Sequence, residues 1–404
     1  MRKANATRKS GRTSRERFVC PICIIFENIY AIQFHQLLDK LHILWYTICR
    51  YGGMNMRKFD YSFLNNGLLP ARLVNLTAGI TELKTMAGVR KDEYAKIFTE
   101  LEAVAKIQSV KSSNAIEGIV TSDDRIAAIV SGSSAPLNHN EAEIAGYRDA
   151  LNAIHTGHEY IDFRESDILR LHETMMSIVG YEFGGKYKTD DNVILEVDAD
   201  GNRRVRFRPT PAREVGQAME QLELAYMSAR NDANINQLLL IPCVILDFLC
   251  IHPFRDGNGR LSRLLSLLLL YKNGFDAGKY VSFEDQINNY KGFYYEALKQ
   301  SSDGWDTNEN DYFPFIENFL STLYMCYKEL DKRFAVVNGK KITKKSRVEA
   351  TVLNSLTPIS KSEICKILPD VSPTTVEAVL GQMVKSGSIK KIGDGRSSRY
   401  MKNV

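Results

Sequence analysis

The sequence predicts a mainly α protein with one β-hairpin and a small basic module at its C-terminal end. Apolar residues recur at three- and four-residue steps, as in Leu73, Leu76, Ile80 and Leu83 and again in Ile97, Leu101 and Val104, the period of a helix with one buried face. Two apolar runs, Leu238 to Ile251 and Leu261 to Tyr271, read as helices buried on all sides. The one obvious β element is Val193 to Val197 and Val205 to Phe207 flanking Asp200-Gly201, a strong hairpin turn signal.

Length and composition bound the rest. At 404 residues the chain exceeds one ordinary small domain, so two or three units are expected. With 44% hydrophobic and 25% charged residues it has the make-up of a soluble globular protein. The net charge of +5 is unevenly placed: from Lys340 to Val404 there are 13 Lys/Arg against 5 Asp/Glu, a net of +8 that leaves −3 for everything before it. Seven scattered cysteines show no disulfide framework and suit a reducing compartment. Cys20-Pro-Ile-Cys23 is a lone pair with no second pair at zinc spacing. No stretch of about 18 apolar residues occurs, so no membrane span and a cytoplasmic location are expected.

In order, residues 1–55 carry seven Lys/Arg in the first seventeen and then apolar patches without a period. This reads as an extension outside the core, with Met54 or Met56 a candidate natural start. Residues 56–120 form an N-terminal helical region ending in Ser112-Ser113-Asn114-Ala115-Ile116-Glu117-Gly118, a helix C-terminus with a glycine stop. Residues 121–337 form a helical core in which Glu141 to His155 and Glu165 to Ile178 are the clearest early helices. His172-Glu173 does not begin a zinc-protease motif, because Met176 stands where a second histidine is needed, so His172 reads as a packing or hydrogen-bonding residue. Ile287 to Gln300 places Tyr290, Tyr294 and Tyr295 at helical spacing, and Asp311 to Phe334 closes the core. Asn338 to Lys341 is a polar linker. Residues 338–404 then give helix 346–356, a short helix opened by Ser360-Lys361-Ser362-Glu363, a third from about Pro373 to Ser386, and a terminal hairpin.

The chemistry concentrates in His252-Pro253-Phe254-Arg255-Asp256-Gly257-Asn258-Gly259-Arg260 and the Leu261-Ser262-Arg263 that follows. This stretch joins the two buried helices and opens the second, whose first N–H groups have no intrahelical partner and favour an anion. Gly257 and Gly259 allow φ > 0 and close approach, while Asn258 offers an amide donor. Arg260 and Arg263, three apart, can reach successive phosphates. Asp256 is a hard oxygen ligand of the kind that holds Mg²⁺ beside phosphates. His252 is placed to take a proton from a hydroxyl. Singly, each has an ordinary reading as turn, packing residue or solvated face; twelve consecutive residues supplying all of them do not.

With these residues the chain resembles the Fic family of protein adenylyltransferases, whose signature His-Pro-Phe-x-(Asp/Asn)-Gly-Asn-Gly-Arg-x-x-Arg is complete here. The resemblance implies a helical core that binds ATP and Mg²⁺ and transfers AMP to a Ser, Thr or Tyr hydroxyl of a target protein. It implies His252 as general base, Asp256 as metal ligand, and Asn258 with the amides around Gly257 and Gly259 at the α-phosphate. Arg260 would meet the β-phosphate and Arg263 the γ-phosphate, with Arg255 in the same nucleotide loop and Phe254 anchoring it. Ser113, Glu117 and Gly118 match the family's inhibitory pattern (Ser/Thr)-x-x-x-Glu-(Gly/Asn), which implies a bidentate pair between Glu117 and Arg263 that restrains ATP binding; relatives also use this glutamate to help remove AMP. Residues 185–208, entered through Gly185-Lys186-Tyr187, look like the family's flap for the protein substrate. Tyr294-Tyr295-Glu296-Ala297-Leu298 looks like its adenine wall.

The tail resembles a winged helix-turn-helix with Lys390, Lys391, Arg396 and Arg399 on the wing, a candidate contact for DNA or for protein. Its third helix, carrying Val376, Val379, Leu380 and Met383, is poor in base-reading side chains. The expected whole is a mainly α protein: a helical Fic core with a β-hairpin flap and a small C-terminal winged helix-turn-helix domain. A DNA-binding regulator with a nucleotide-sensing core and a phosphotransferase or other nucleotidyltransferase stay open as alternatives, and homodimerisation is also open.

Overall fold

The computed structural model describes residues 57–197, 203–335 and 343–403, the last with gaps at 354, 356–357, 369–370, 394 and 396–397. The basic leader, Cys20, Cys23, the Asp200-Gly201 turn, the Asn338 to Lys341 linker and Arg396 lie outside the described residues. Within them the protein is helical with two small sheets. No described helix is long and apolar enough to cross a membrane.

The first helices are α1 (Phe63–Asn66), α2 (Ala71–Glu93), α3 (Ala95–Ile116), α4 (Asp123–Val130), α5 (His139–Gly157) and α6 (Glu165–Ser177). The helical period that runs through Leu73 to Leu83 and Ile97 to Val104 is carried by two helices broken at Tyr94, which leaves helical φ/ψ at −127°, 37°. Caps follow the sequence where they are short and polar: Ser122 accepts from Arg125 N–H and Asn138 from Glu141 N–H, relieving N–H groups that the helix leaves unpaired.

After β1 (Ile194–Val197) and β2 (Arg203–Phe207) come α7 (Val215–Arg230), α8 (Gln237–Ile251) and α9 (Asn258–Lys272). Every residue from Leu238 to Ile251 is buried, as is every one from Arg260 to Tyr271. At about 1.5–3 kcal/mol for each large apolar side chain removed from water, this pair is the energetic centre of the fold. Against it pack α11 (Lys291–Ser302) and α12 (Phe313–Ala335), with α12 also against α2, while α10 (Phe283–Asn289) packs against α3 and α12. The expected helix from Ile287 to Gln300 is divided at Tyr290, whose φ/ψ of −119°, 30° ends α10 before α11 begins.

One charge sits inside α8. Asp247 is fully buried and accepts from Tyr61 Oη (2.8 Å), Tyr312 Oη (2.9 Å) and Trp305 Nε1 (2.6 Å), with the Arg57 guanidinium at 3.5 Å. Burial pushes its carboxyl pKa up, opposed by Arg57 and these donors. The cluster ties the first described residues to the buried helix pair.

The hairpin strands are antiparallel, Leu195 opposite Val205 and Val197 opposite Arg203, with an irregularity between Ile194 and Leu195. Towards the C-terminus, α13 (Lys344–Leu353), β3 (Ile359–Ser360), α14 (Lys361–Ile367), α15 (Pro373–Lys385), β4 (Ile389–Ile392) and β5 (Arg399–Lys402) enclose a separate core of Val348, Ile364, Val376, Leu380 and Ile389. The strand order is β3-β5-β4, antiparallel throughout. Ser360 and Glu363 form a capping box at α14, and Ser372 with Pro373 caps α15.

Asp247→Ala leaves Arg57 and three donors facing an empty anion site. It is expected to lower the unfolding free energy by about 3–5 kcal/mol, measured by urea denaturation against the unsubstituted chain.

Candidate active site

The loop between α8 and α9 turns the chain in six residues and needs two positive φ angles. His252 caps α8 in the left-handed region (φ 52°, ψ 60°), its N–H donating to Phe248 O at 3.0 Å. Gly257 (φ 81°) precedes α9; the left-handed conformation strains any side chain there, and a Cβ would also have to push the Met176 and Met175 methyl ends aside. Phe254 is buried and stacks on His172, ring centroids 3.8 Å apart. His172 Nδ1 accepts from Gly185 N–H (3.0 Å), which leaves the proton on Nε2 to donate to Asp256 O (3.0 Å). The sequence reading of His172 as a hydrogen-bonding core residue agrees with this geometry, and the ring joins the loop to the flap entrance.

Asn258 departs from expectation. Its Oδ1 accepts from Phe254 N–H (2.9 Å) and its Nδ2 donates to Phe254 O (2.8 Å), so the side chain braces the loop and is not a free donor for phosphate. The free donors are main-chain: the first helical bond of α9 runs from Leu261 N–H to Gly257 O at 2.8 Å, and the N–H groups of Asn258, Gly259 and Arg260 precede it.

A cavity of about 590 Å³ opens here, lined by His252, Gly259, Arg263, Glu117, Tyr294 and Tyr295, with the hairpin strands along one side. Arg263 Nη2 donates to Glu117 Oε1 at 2.8 Å and to Ser113 O at 2.9 Å, and Nε donates to Ser113 Oγ at 2.9 Å. The pair is therefore not bidentate: Glu117 meets Nη2 alone and shares it with the Ser113 carbonyl, while Nε goes to the Ser113 hydroxyl. A Cβ on Gly259 would stand 2.3 Å from Glu117 Oε1. The carboxylate thus rests against the start of α9, where an anion is favoured. Behind it, Glu284 accepts from Tyr147 Oη (3.0 Å) and Ser109 Oγ (2.8 Å), and Ser112 Oγ donates to Asp285 (2.8 Å), fixing the end of α3 against α5 and α10.

Other expected nucleotide contacts lie elsewhere. Arg255 is exposed, 5.7 Å over the Phe183 ring. Arg260 is 1% exposed and turned toward α5, Nη1 at 2.5 Å from Glu143 and Nη2 at 3.4 Å from Asp256. Asp256 keeps an exposed carboxylate while its Oδ1 accepts from Gly257 N–H (2.6 Å). Among the described residues no group of three potential metal ligands exists. The donor set fits a Mg²⁺ that takes one carboxylate and draws its other ligands from phosphate and water. Tyr294 is buried against Phe315, Tyr295 is half-buried, and Tyr290 is exposed outside the cavity. A larger groove, of about 690 Å³, runs between Phe293 on α11 and α12 and holds none of the loop residues.

Three participants carried no sequence signal. Glu143 answers Arg260 from a helix over a hundred residues away. Arg206 lines the cavity from β2, its Nε buried without a hydrogen-bond partner. Lys188, one residue beyond the Gly185-Lys186-Tyr187 entrance, reaches the carbonyl of Ile251.

Burial holds the His252 imidazole at about 4, with Lys188 adding to the effect and the Leu249 carbonyl, Glu117 and Asp256 opposing it. Its Nδ1–H donates to Leu249 O (3.3 Å), so Nε2 carries the lone pair of a neutral base at pH 7. Burial holds His172 at about 4 as well. Both folded values lie below that of an unfolded histidine, about 6.5, so unfolding takes up protons between them. Stability contributed by the two neutral rings is present above about pH 6.5 and is lost as pH falls toward 4. Replacing His172 with Gln is expected to flatten this acid dependence in chemical denaturation measured from pH 7 to pH 4.5.

Residues 160–270 match the Fic/DOC family. The chain is 29% identical over 228 residues to a protein adenylyltransferase Fic of Nematostella vectensis, covering 52% of this chain and 45% of that protein. It is 31% identical over 85 residues to a Fido domain-containing protein of Dictyostelium discoideum, covering 21% of this chain and 57% of that one. It thus spans about half the length of these curated relatives. A Fic family protein from Desulfovibrio desulfuricans G20, of known crystal structure, superposes with a TM-score of 0.55 at 21% identity, over 83% of this chain and 97% of its own, a likeness of fold. The α8–α9 loop thus lies within the residues that match the Fic/DOC family, while Glu117, Tyr294 and Tyr295 line the cavity from outside that span.

Proposed function

We propose that this protein transfers AMP from ATP to a hydroxyl of a protein target and is restrained by its own Glu117. The observation that carries the reading is the convergence on one cavity of a neutral imidazole, the open N–H groups of α9, and a guanidinium whose anion site is taken by Glu117. The hydroxyl oxygen attacks the α-phosphorus, its bond to the β-phosphate oxygen breaks, pyrophosphate leaves, and the hydroxyl proton passes to His252 Nε2. The amides of Asn258, Gly259 and Arg260 bear the charge of the reacting phosphate. Arg263 takes the terminal phosphate once Glu117 withdraws, a competition of two anions for one fork. Bound Mg²⁺, held by Asp256, would neutralise charge on the phosphates.

Arg260, buried beside Glu143, fixes the first turn of α9 until a phosphate draws it out. Tyr294 and Tyr295 form the wall on which the base rests. The hairpin presents an open strand edge beside the cavity, the geometry on which an extended target segment adds main chain to main chain. We read residues 343–403 as a winged helix. Its Lys390 and Lys391 are exposed on β4, whereas the buried face of α15 uses Val376, Val379, Leu380 and Met383, an arrangement that suits a protein or phosphate-backbone contact better than base reading.

Glu117→Gly is expected to raise incorporation of label from α-labelled ATP, with Mg²⁺ and lysate, by about tenfold or more, each tenfold being about 1.4 kcal/mol of lost restraint. In that background His252→Ala should lower the rate by about 10²–10⁴-fold. An unchanged rate on the first substitution removes Glu117 from the mechanism, and full activity after the second removes the base. The mass gained by a labelled target separates AMP transfer from transfer of phosphate.

A further inference from the structure

We propose that Lys188 is a positioning residue that holds His252 in its working conformation by binding both peptide carbonyls that flank it. The inference rests on the reading of His252 as the base. Lys188 N–H donates to Pro253 O at 2.9 Å, and its ammonium donates to Ile251 O at 3.4 Å and to Asn192 Oδ1 at 2.8 Å. One residue of the flap entrance thus grips the chain on either side of the imidazole, at Ile251 and at Pro253.

His252 needs that grip. Among the described residues only it and Asn308 combine a side chain with positive φ, a conformation that persists where surrounding contacts over-determine it. Its own contacts reach backwards only, N–H to Phe248 O and Nδ1 to Leu249 O. Lys188 supplies the forward contact at Pro253. It also places a cation on the last carbonyl of α8, where the helix dipole favours one.

The placement is costly, which argues that it is used. Lys188 is 6% exposed and its ammonium is met by an amide and a carbonyl, with no carboxylate in contact among the described residues. Burial lowers its pKa to about 8, and Asp191 opposes from a distance. The charged groups acting on His252 are Lys188 from the flap entrance, Glu117 from the end of α3 and Asp256 from its own loop, and Arg206 and Arg263 line the same cavity. Burial chiefly keeps the imidazole neutral, and Lys188 adds to it while Glu117 and Asp256 oppose.

The test compares Lys188→Met and Lys188→Arg in the Glu117→Gly background, with His252→Ala as control. Lys188→Met is expected to lower kcat by about 10- to 100-fold, the cost of a small misplacement, with KM for ATP unchanged within roughly twofold, and to raise the pH at which the His252 imidazole titrates by NMR. Lys188→Arg, which keeps charge and donors, should recover most of kcat and the low titration. It should also abolish the alkaline fall in rate near pH 8, since a guanidinium stays charged there. An unmoved kcat together with an unmoved His252 titration in Lys188→Met overturns the proposal, as does an alkaline fall that persists in Lys188→Arg. If Lys188→Met does not fold, the pH profile of Lys188→Arg decides alone. Full activity in His252→Ala would instead refute the base, a failure visible apart from the NMR shift.

Discussion

The structure depends on how sharply the chain reverses between two helices that water cannot reach. Because α8 and α9 are buried nearly all round, their ends are fixed by packing, and the loop between them has no freedom to relax. It must turn with a left-handed histidine at one end and a left-handed glycine at the other. That constraint sets a basic nitrogen, a row of unpaired N–H groups and an arginine around one point.

The surroundings hold the loop from several directions. His172 stacks under Phe254 and bonds both Asp256 and Gly185. Asn258 closes the loop on itself. Lys188 ties the flap entrance to it. The hairpin entrance, the loop and the end of α3 are therefore one mechanical assembly: the elements that frame the cavity are bonded to the loop. Glu117 sits where the same assembly favours any anion.

Several side chains expected at the phosphates bond to the loop or a neighbouring helix in this structure, and the reason is a general one. A buried polar side chain must be paired, and inside so tight a turn the nearest partners are main-chain groups and the carboxylate of a neighbouring helix. Asn258 satisfies itself on Phe254, and Arg260 is ion-paired with Glu143. Arg263 divides its donors between Ser113 and Glu117 because α3 ends with a hydroxyl, a carbonyl and a carboxylate all within reach.

What the sequence by itself determined was whatever is written locally. Helical periods, the hairpin on either side of Asp200-Gly201, the glycine stop after Glu117 and the chemical set from His252 to Arg263 all follow from residues within one or two turns of each other, because backbone preference and side-chain spacing act at that range. The breaks at Tyr94 and Tyr290 were not legible, since an apolar stripe continues across them. Tertiary structure alone decided which way Arg255 and Arg260 face, that Asp247 would gather Arg57, Tyr61, Trp305 and Tyr312, and that Lys188 would meet the carbonyls beside His252. These are pairings across tens to hundreds of residues, and no local pattern records them: a buried charge finds its partner only after the hydrocarbon around it has packed.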